Sequence, residues 1–477
     1  MQLDTSIRFY DLMLVMEHPE ENQMTDPQVN RVLVTAQKLL EQHVLCDRCL
    51  GRQFGWLSTN TSNSDRGHSL KLTLCMSADE ELKSGKKEIG SDSIRLLASH
   101  GMFDAAKIIA EKNNIDFKAQ DVCYLCSIDS ESVFERVPLV AERIVGLAKD
   151  VEFETFLVGS IPPPMLAERQ DELSGIHSIM HAETLKSHFN RELGIQVHSH
   201  LQKPVEFEKP DIVFVYSMET DELKLQINPL FIYGRYRKLV RGIPQSRWDC
   251  KKCRGRGCDE CDETGRKYQD SISEYVGVPA QTIIDGSRFK FHAAGREDID
   301  VLMLGQGRPF VVEITEPRSR TPNLEEVTKS INTEAEGKIE VFDLVITDRQ
   351  HLQKLKEDAS TNVKEYEALI TIDRPVTKKE LKKLEKEFKG VEIEQRTPHR
   401  VSHRRADLVR KKIIHEICVE QQEDGLLKAT FKVQGGTYIK ELISGDEGRT
   451  TPSIAEKLGS GCVCAQLNVT AIYTEGS

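Results

Sequence analysis

The sequence has no apolar stretch approaching the roughly 18 residues that a membrane-spanning helix needs, and no membrane partner is expected. It has no excess of positive charge. Its 65 Lys and Arg stand against 76 Asp and Glu, a net charge of −11, which excludes a uniformly basic nucleic-acid binder and leaves room for a local basic patch. It has no phosphate-binding loop and no dinucleotide fingerprint, so neither a nucleotide nor another organic cofactor is expected. It shows no internal repeat and no low-complexity tract. The N-terminal segment scatters charges through a short apolar stretch and does not read as a secretory signal; the expected location is the cytoplasm. What remains is 477 residues of globular composition, 39% hydrophobic and 30% charged, enough for about three domains.

Eight of the twelve cysteines fall into four Cys-x-x-Cys pairs. In a large intracellular chain such pairs read as metal ligands sooner than as disulfides. Cys46, Cys49, Cys123 and Cys126 form one expected zinc set, with 73 residues between the two pairs. Cys250, Cys253, Cys258 and Cys261 form a second, compact one, a knuckle within 248–267. Gly255 and Gly257 let its backbone reverse. Four thiolates close a tetrahedral site, so both zincs read as structural. Cys75, Cys418, Cys462 and Cys464 fit no pair and read as inert thiols.

Residues 31–43 space their apolar side chains for one helix face leading into Cys46. A solvated connection is expected at 79–91 and a second helix at 93–112. From about 150 the pattern is compact α/β, with strands in VEFETFLVGS, DIVFVYS and ELKLQINPLFIYG around a helix in HAETLKSHFNRELGIQV. Farther on, IDVLMLG, RPFVVEIT, YEALITI, VEIEQ and LKATFKV read as strands and TKKELKKLEKEF as an exposed helix. Two stretches, 235–267 and 396–412, each carry a local charge of +6, which suggests an acidic body with a basic binding face.

GREDIDVLMLGQGRPFVVEI resembles the catalytic segment of the pseudouridine synthases that act on uridines 54 and 55 of archaeal tRNA. NPLFIYGRYRKLVRGIPQSRW is similar to that family's lead-in to the catalytic domain. KEYEALITI is similar to its active-site tyrosine strand and RTPHRVSHRRADLVRKK to its basic arm. GGTYIKELISGDEGRTTPSIAEKLG resembles a segment found across pseudouridine synthases. The likeness covers nearly the whole chain in order. It implies an α+β fold: a catalytic domain at 235–477, with a mixed sheet and packed helices, behind an accessory RNA-binding domain at 1–234 that holds zinc and a THUMP-like α/β part near 150–234.

The resemblance also implies the chemistry. Uracil is cut from C1′, turned, and rejoined through C5, with tRNA as partner. The catalytic aspartate falls on Asp298, after Arg296; Asp300 is the rival, two residues on. Lys440 falls where a cation pairs with the aspartate, and many relatives place Arg there. Tyr366 matches the active-site tyrosine and Leu442 an apolar wall against the base. Arg308, Arg404 and Arg405 are candidate phosphate contacts, and with Arg296 and Leu442 they make up the expected substrate-binding set. A non-catalytic tRNA-binding or folding factor would dispense with Asp298. A THUMP-associated thiouridine synthase or methyltransferase would need an ATP loop or a methyl-donor fold. Neither motif stands in the chain. A monomer is expected, since no exposed apolar heptad is present.

Overall fold

The computed structural model describes residues 31–359, 361–423 and 425–473. The chain divides into two units. One comprises the described residues up to Arg136 together with Pro162–Phe189; the other comprises Val137–Ile161 and the described residues from Asn190 onward.

The first unit is helical. It contains α1 (Arg31–Gln42), α2 (Asp47–Arg52), α3 (Asn63–Lys83), α4 (Lys87–His100) and α5 (Asp104–Lys112), then a short hairpin of β1 (Ser127–Ile128) and β2 (Glu131–Ser132). The connection expected at 79–91 is mostly helix: α3 runs through it to Lys83 and α4 begins at Lys87, with Gly85 at φ +92° between them. The single helix expected at 93–112 is two, broken at Gly101 and Met102, where Met102 takes φ +49°. Helices α2 and α3 cross at glycine against backbone. A Cβ on Gly51 would lie 1.8 Å from the Asn63 carbonyl oxygen, and one on Gly67 would lie 1.9 Å from that of Asp47. Only glycine permits this approach, and it fixes the helix that carries Cys49.

In the second unit, α6 (Val137–Ala148) precedes β3 (Phe156–Ile161). Helix α7 (Pro164–Ile176) belongs to the first unit, and α8 (Leu185–Leu201) spans the division. Strands β4 (Ile212–Ser217) and β5 (Leu223–Ile227) complete a three-stranded sheet, β3 parallel and β5 antiparallel to β4. ELKLQINPLFIYG, read above as one strand, is two, because Asn228-Pro229 ends β5. β6 (Leu230–Lys238) then enters a different sheet. The boundary expected at 234/235 therefore falls inside β6.

That sheet has ten strands. After β6 come α9 (Ile272–Ile284), β7 (Arg288–Ala293), β8 (Leu302–Thr315), α10 (Leu324–Glu334), β9 (Ile339–Thr347), α11 (Arg349–Asp358), β10 (Val363–Ile372), α12 (Lys378–Phe388), β11 (Val391–Arg396), β12 (Val409–Gln421), β13 (Leu427–Gln434), α13 (Ile439–Ser444), β14 (Thr450–Thr451), α14 (Ile454–Leu458) and β15 (Cys462–Ile472). The order is β14-β11-β12-β13-β10-β15-β8-β6-β9, with β7 on β8. β15 and β8 pair in parallel through Asn468–Leu302 and Val469–Met303, while the other pairs are antiparallel. The sheet is mixed, as expected. IDVLMLG and RPFVVEIT are one strand, β8, carried through positive φ at Gly305 and Gly307.

Helix α12 is less exposed than its charges suggest. A Thr377–Glu380 capping box starts it, and Leu381, Leu384 and Phe388 are buried against the sheet core. Tyr366 lies on β10, opposite Phe431 of β13 and Val469 of β15. No helix among the described residues is long and apolar enough to cross a membrane.

Candidate active site

Both cysteine sets close into clusters of four sulfurs, all within 4.8 Å of one another. The Cys46–Cys126 sulfurs are 3.8 Å apart; in the knuckle Cys250–Cys258, Cys253–Cys261 and Cys258–Cys261 stand at 3.9, 3.8 and 3.6 Å. A tetrahedron with zinc–sulfur arms of about 2.3 Å has edges of about 3.8 Å, whereas a disulfide needs about 2.05 Å. The spacing therefore fits a four-thiolate metal. Backbone N–H groups point at the sulfurs as well, from Cys46 to Cys123 and from Gly265 to Cys261, in the manner of groups that orient metal ligands.

The knuckle rests on a two-stranded stem. Asp249 bridges Arg266, and the amide of Lys267 donates to the Trp248 carbonyl at 2.9 Å. The Trp248 ring carries Lys267 and Arg296, each with its charge 5.3 Å from the centroid. Arg296 is exposed and lies two residues before Asp298. The stem thus abuts the segment that bears the candidate nucleophile.

That segment, 296–301, is a loop between β7 and β8, so the strand expected from Ile299 in IDVLMLG begins only at Leu302 and Asp300 lies before it, in the loop with Asp298. Asp298 Oδ2 lies 2.7 Å from Arg400 Nη1 and 3.7 Å from Lys440 Nζ. Lys440 pairs more closely with Asp300, at 2.7 and 2.9 Å. The cation nearest Asp298 is therefore Arg400, which the sequence reading left unassigned within the basic arm. Arg400 stands in a short 3₁₀ turn, His399–Arg404, and also grips buried Glu441 at 2.6 Å. Burial alone would lower the charged form of Arg400, but Glu441 and then Asp298 outweigh it and raise its pKa. At Asp300, burial pushes the carboxyl up and Lys440 more than reverses it, leaving it below the usual value.

Arg308, expected as a phosphate contact, is not on the surface. It is 2% exposed, with Nε 2.8 Å from Glu297 Oε2 and Nη1 donating to the Ala294 carbonyl at 2.7 Å. Glu297 is buried too and accepts from the Tyr236 hydroxyl at 2.9 and 3.0 Å. Arg308 Nε makes a charge contact with Glu297 and no hydrogen bond, so the pair fixes where the loop's charges sit more than it adds stability. Leu442 is fully buried in the core cluster, so the expected apolar wall is packed core. Arg405 donates to the Tyr438 hydroxyl at 2.9 Å. The Arg404 side chain lies outside the described residues.

Tyr366 is half-buried, packed against the same core. Burial raises its hydroxyl to about 12, with Arg308 opposing and Glu297 and Asp298 adding to the rise. The structure thus gathers Asp298, Asp300, Lys440 and Arg400 in one cluster, with Tyr366 near enough to feel the charge of Asp298. Arg308 and Leu442 lie in the core instead.

Family models match two parts of the chain: "Pus10, C-terminal" over residues 231–473 and "Pus10 THUMP domain, archaeal" over residues 140–217. The C-terminal match begins at the second residue of β6. A protein of Methanothrix thermoacetophila is 39% identical over 451 residues, covering 94% of this chain and 96% of its own. One of Methanocaldococcus jannaschii is 38% identical over 456 residues, covering 94% and 97%. One of Methanothermobacter marburgensis is 44% identical over 350 residues, covering 73% and 85%. All three bear the name tRNA pseudouridine synthase Pus10. With a family model over half its length and relatives matched nearly end to end, the chain belongs to the Pus10 family of tRNA pseudouridine synthases.

Proposed function

We propose that the chain isomerises uridine to pseudouridine at positions 54 and 55 of the tRNA TΨC arm, with Asp298 as the covalent catalyst. The carrying observation is the placement of Asp298 at a half-buried position in a loop, 2.7 Å from Arg400 and 3.7 Å from Lys440. The target nucleotide must leave its stack to reach such a group. The C1′–N1 bond breaks and a C1′–C5 bond forms. The C5 proton leaves and N1 gains one, so the reaction balances without oxidant, nucleotide or methyl donor. Arg400 and Lys440 hold the carboxylate in place, and Tyr366 presents its ring to the base.

Each cysteine set takes one structural zinc, one closing the knuckle on its stem and the other pinning together the segments of the first helical unit that carry Cys46, Cys49, Cys123 and Cys126. The part near 150–234 is the THUMP-like RNA-binding module of an accessory domain, and the catalytic domain follows. The enzyme acts as a monomer in the cytoplasm.

A position-resolved pseudouridine assay on unmodified tRNA transcript tests this reading. Wild type is expected to yield product at 54 and 55, Asp298→Ala none, and Asp300→Ala a reduced but measurable yield. Loss of product in Asp300→Ala alone would move the catalytic role to that residue. Tight tRNA binding without product from wild type would favour a non-catalytic binder.

A further inference from the structure

Lys364 is a lysine where a lysine is costly. Its side chain is 5% exposed, on β10 two residues before Tyr366. Side chains two apart on a strand share a face, about 7 Å apart along it, and pairing with β13 is regular across both positions, Lys364 with Val433 and Tyr366 with Phe431. Its Nζ abuts the turn that opens the catalytic loop: a Cβ on Gly295 would lie 3.0 Å from Lys364 Nζ and 3.1 Å from Arg308 Nη1. Gly295 sits at φ +84°, so the turn suits glycine on both counts.

Among the described residues the Lys364 ammonium has no hydrogen-bond or ion-pair partner. The carboxylate that could serve it, Glu297, is taken by Arg308 and by the Tyr236 hydroxyl. Lys238, also buried nearby, differs in this respect, because it donates to the Ile299 carbonyl at 2.7 Å. An unpaired cation in such a place is unfavourable, and burial together with Arg308 and, more weakly, Lys412 lowers the Lys364 amine to about 7 against the opposing pull of Glu297. The groups facing it are thus Arg308 from β8, Glu297 from the loop, Lys412 from β12 and Tyr366 on its own strand.

Resting on the pseudouridine synthase reading, we infer that Lys364 is the base that, beside Tyr366, takes the proton from C5 once the C1′–C5 bond has formed. The C5–H electron pair becomes the C5=C6 double bond, the N1=C6 pair moves to N1, and N1 is protonated, so the isomerisation closes without net proton change. The Tyr366 hydroxyl, held protonated by burial, is a poor acceptor by itself. A neutral amine supplies the acceptor.

The test is single-turnover conversion of tRNA transcripts bearing protium or deuterium at C5 of the target uridine. It compares wild type, Lys364→Met and Lys364→Arg at a series of pH values, with tRNA binding measured alongside. Wild-type product first establishes the reaction; its absence sinks the functional reading and not this inference alone. With product in hand, the wild-type rate should rise with pH through about 7. Both variants should lose that limb, slow by about 10²-fold or more, keep wild-type tRNA affinity, and show a larger deuterium effect than wild type as proton removal becomes limiting. Unchanged rates and isotope effects in the variants overturn the inference. So does a slowed rate with an unchanged isotope effect, which marks mere positioning. If Lys364→Met does not fold, Lys364→Arg decides alone, and a wild-type-like Arg variant overturns the proposal because arginine cannot accept a proton at these pH values.

Discussion

Arg400 divides its guanidinium between Asp298 and Glu441, which gives a substitution there two separable consequences. Removing the cation takes away the partner 2.7 Å from Asp298 and leaves Glu441, buried in α13, without its 2.6 Å ion pair. Arg400→Ala should lower the single-turnover rate by about 10²-fold and cost roughly 1–3 kcal/mol of stability in urea unfolding. Arg400→Lys should recover only part of either, because a point charge cannot serve two carboxylates as a guanidinium does. Equal rates for Arg400→Ala and wild type would show that Lys440 suffices. A second residue-scale expectation concerns Lys364 in the folding equilibrium. Its amine sits at about 7 when folded and near 10.4 when unfolded. Between those values the unfolded chain holds a proton that the native one lacks, so stability rises with pH, by at most about 1.4 kcal/mol per unit. Lys364→Met lacks this dependence. It should therefore be more stable than wild type at and below pH 7, with the difference closing as the pH climbs toward 10. Denaturant midpoints at fixed pH check this, and a difference that does not vary with pH would refute the buried-amine picture.

At the scale of elements, the knuckle stem meets the catalytic loop through an aromatic side chain. Trp248 holds Arg296 on one ring and belongs to the strand pair that supports Cys250–Cys261. Zinc loss there should loosen the loop without touching the sheet core. Wild type is expected to carry two zinc ions by elemental analysis, and Cys250→Ala/Cys258→Ala one. That variant should turn over more slowly while its main thermal transition stays near that of wild type. Trp248→Ala, which leaves the cysteines alone, should slow turnover with both metals retained. Retained activity in both would confine the knuckle to another role. The cysteine clusters and the strand of Tyr366 were legible in sequence, because spacing and alternation report chemistry and burial directly. Arg400 was not. Its place beside Asp298 depends on a 3₁₀ turn between β11 and β12, a long-range contact that no local pattern encodes. β12 itself was half hidden, since Arg410, Lys411 and Lys412 fill successive positions on both faces at its start, with only Lys411 fully exposed, and so read as a basic arm. Arg308 was misread for the opposite reason: a cation in sequence looks exposed until a buried carboxylate such as Glu297 is placed against it.

Across the whole molecule the two +6 stretches are not equivalent once folded. Most cations of 396–412 are spent internally: Arg396 on Asp407, Arg400 on Asp298 and Glu441, Lys411 on Glu392, and Lys412 on the Gly435 carbonyl. In the knuckle, Lys251, Arg254 and Arg256 have no carboxylate within ion-pair reach among the described residues, and Lys267 rests on aromatic rings. On a chain of net charge −11, RNA phosphates should be drawn to the cations that the fold leaves unneutralised. Each phosphate contact releases counterions and adds roughly 0.7–0.9 to the slope of log affinity against log salt. Lys251→Ala, Arg254→Ala and Arg256→Ala should therefore each flatten that slope for tRNA by about one and weaken binding at low salt. Arg396→Ala or Lys411→Ala should leave the slope nearly unchanged. The two sets separate local charge in sequence from charge available after folding. If the 396–412 variants flattened the slope and the knuckle variants did not, RNA would have to displace the internal ion pairs on binding, and the interface would lie on the Arg400 side of Asp298.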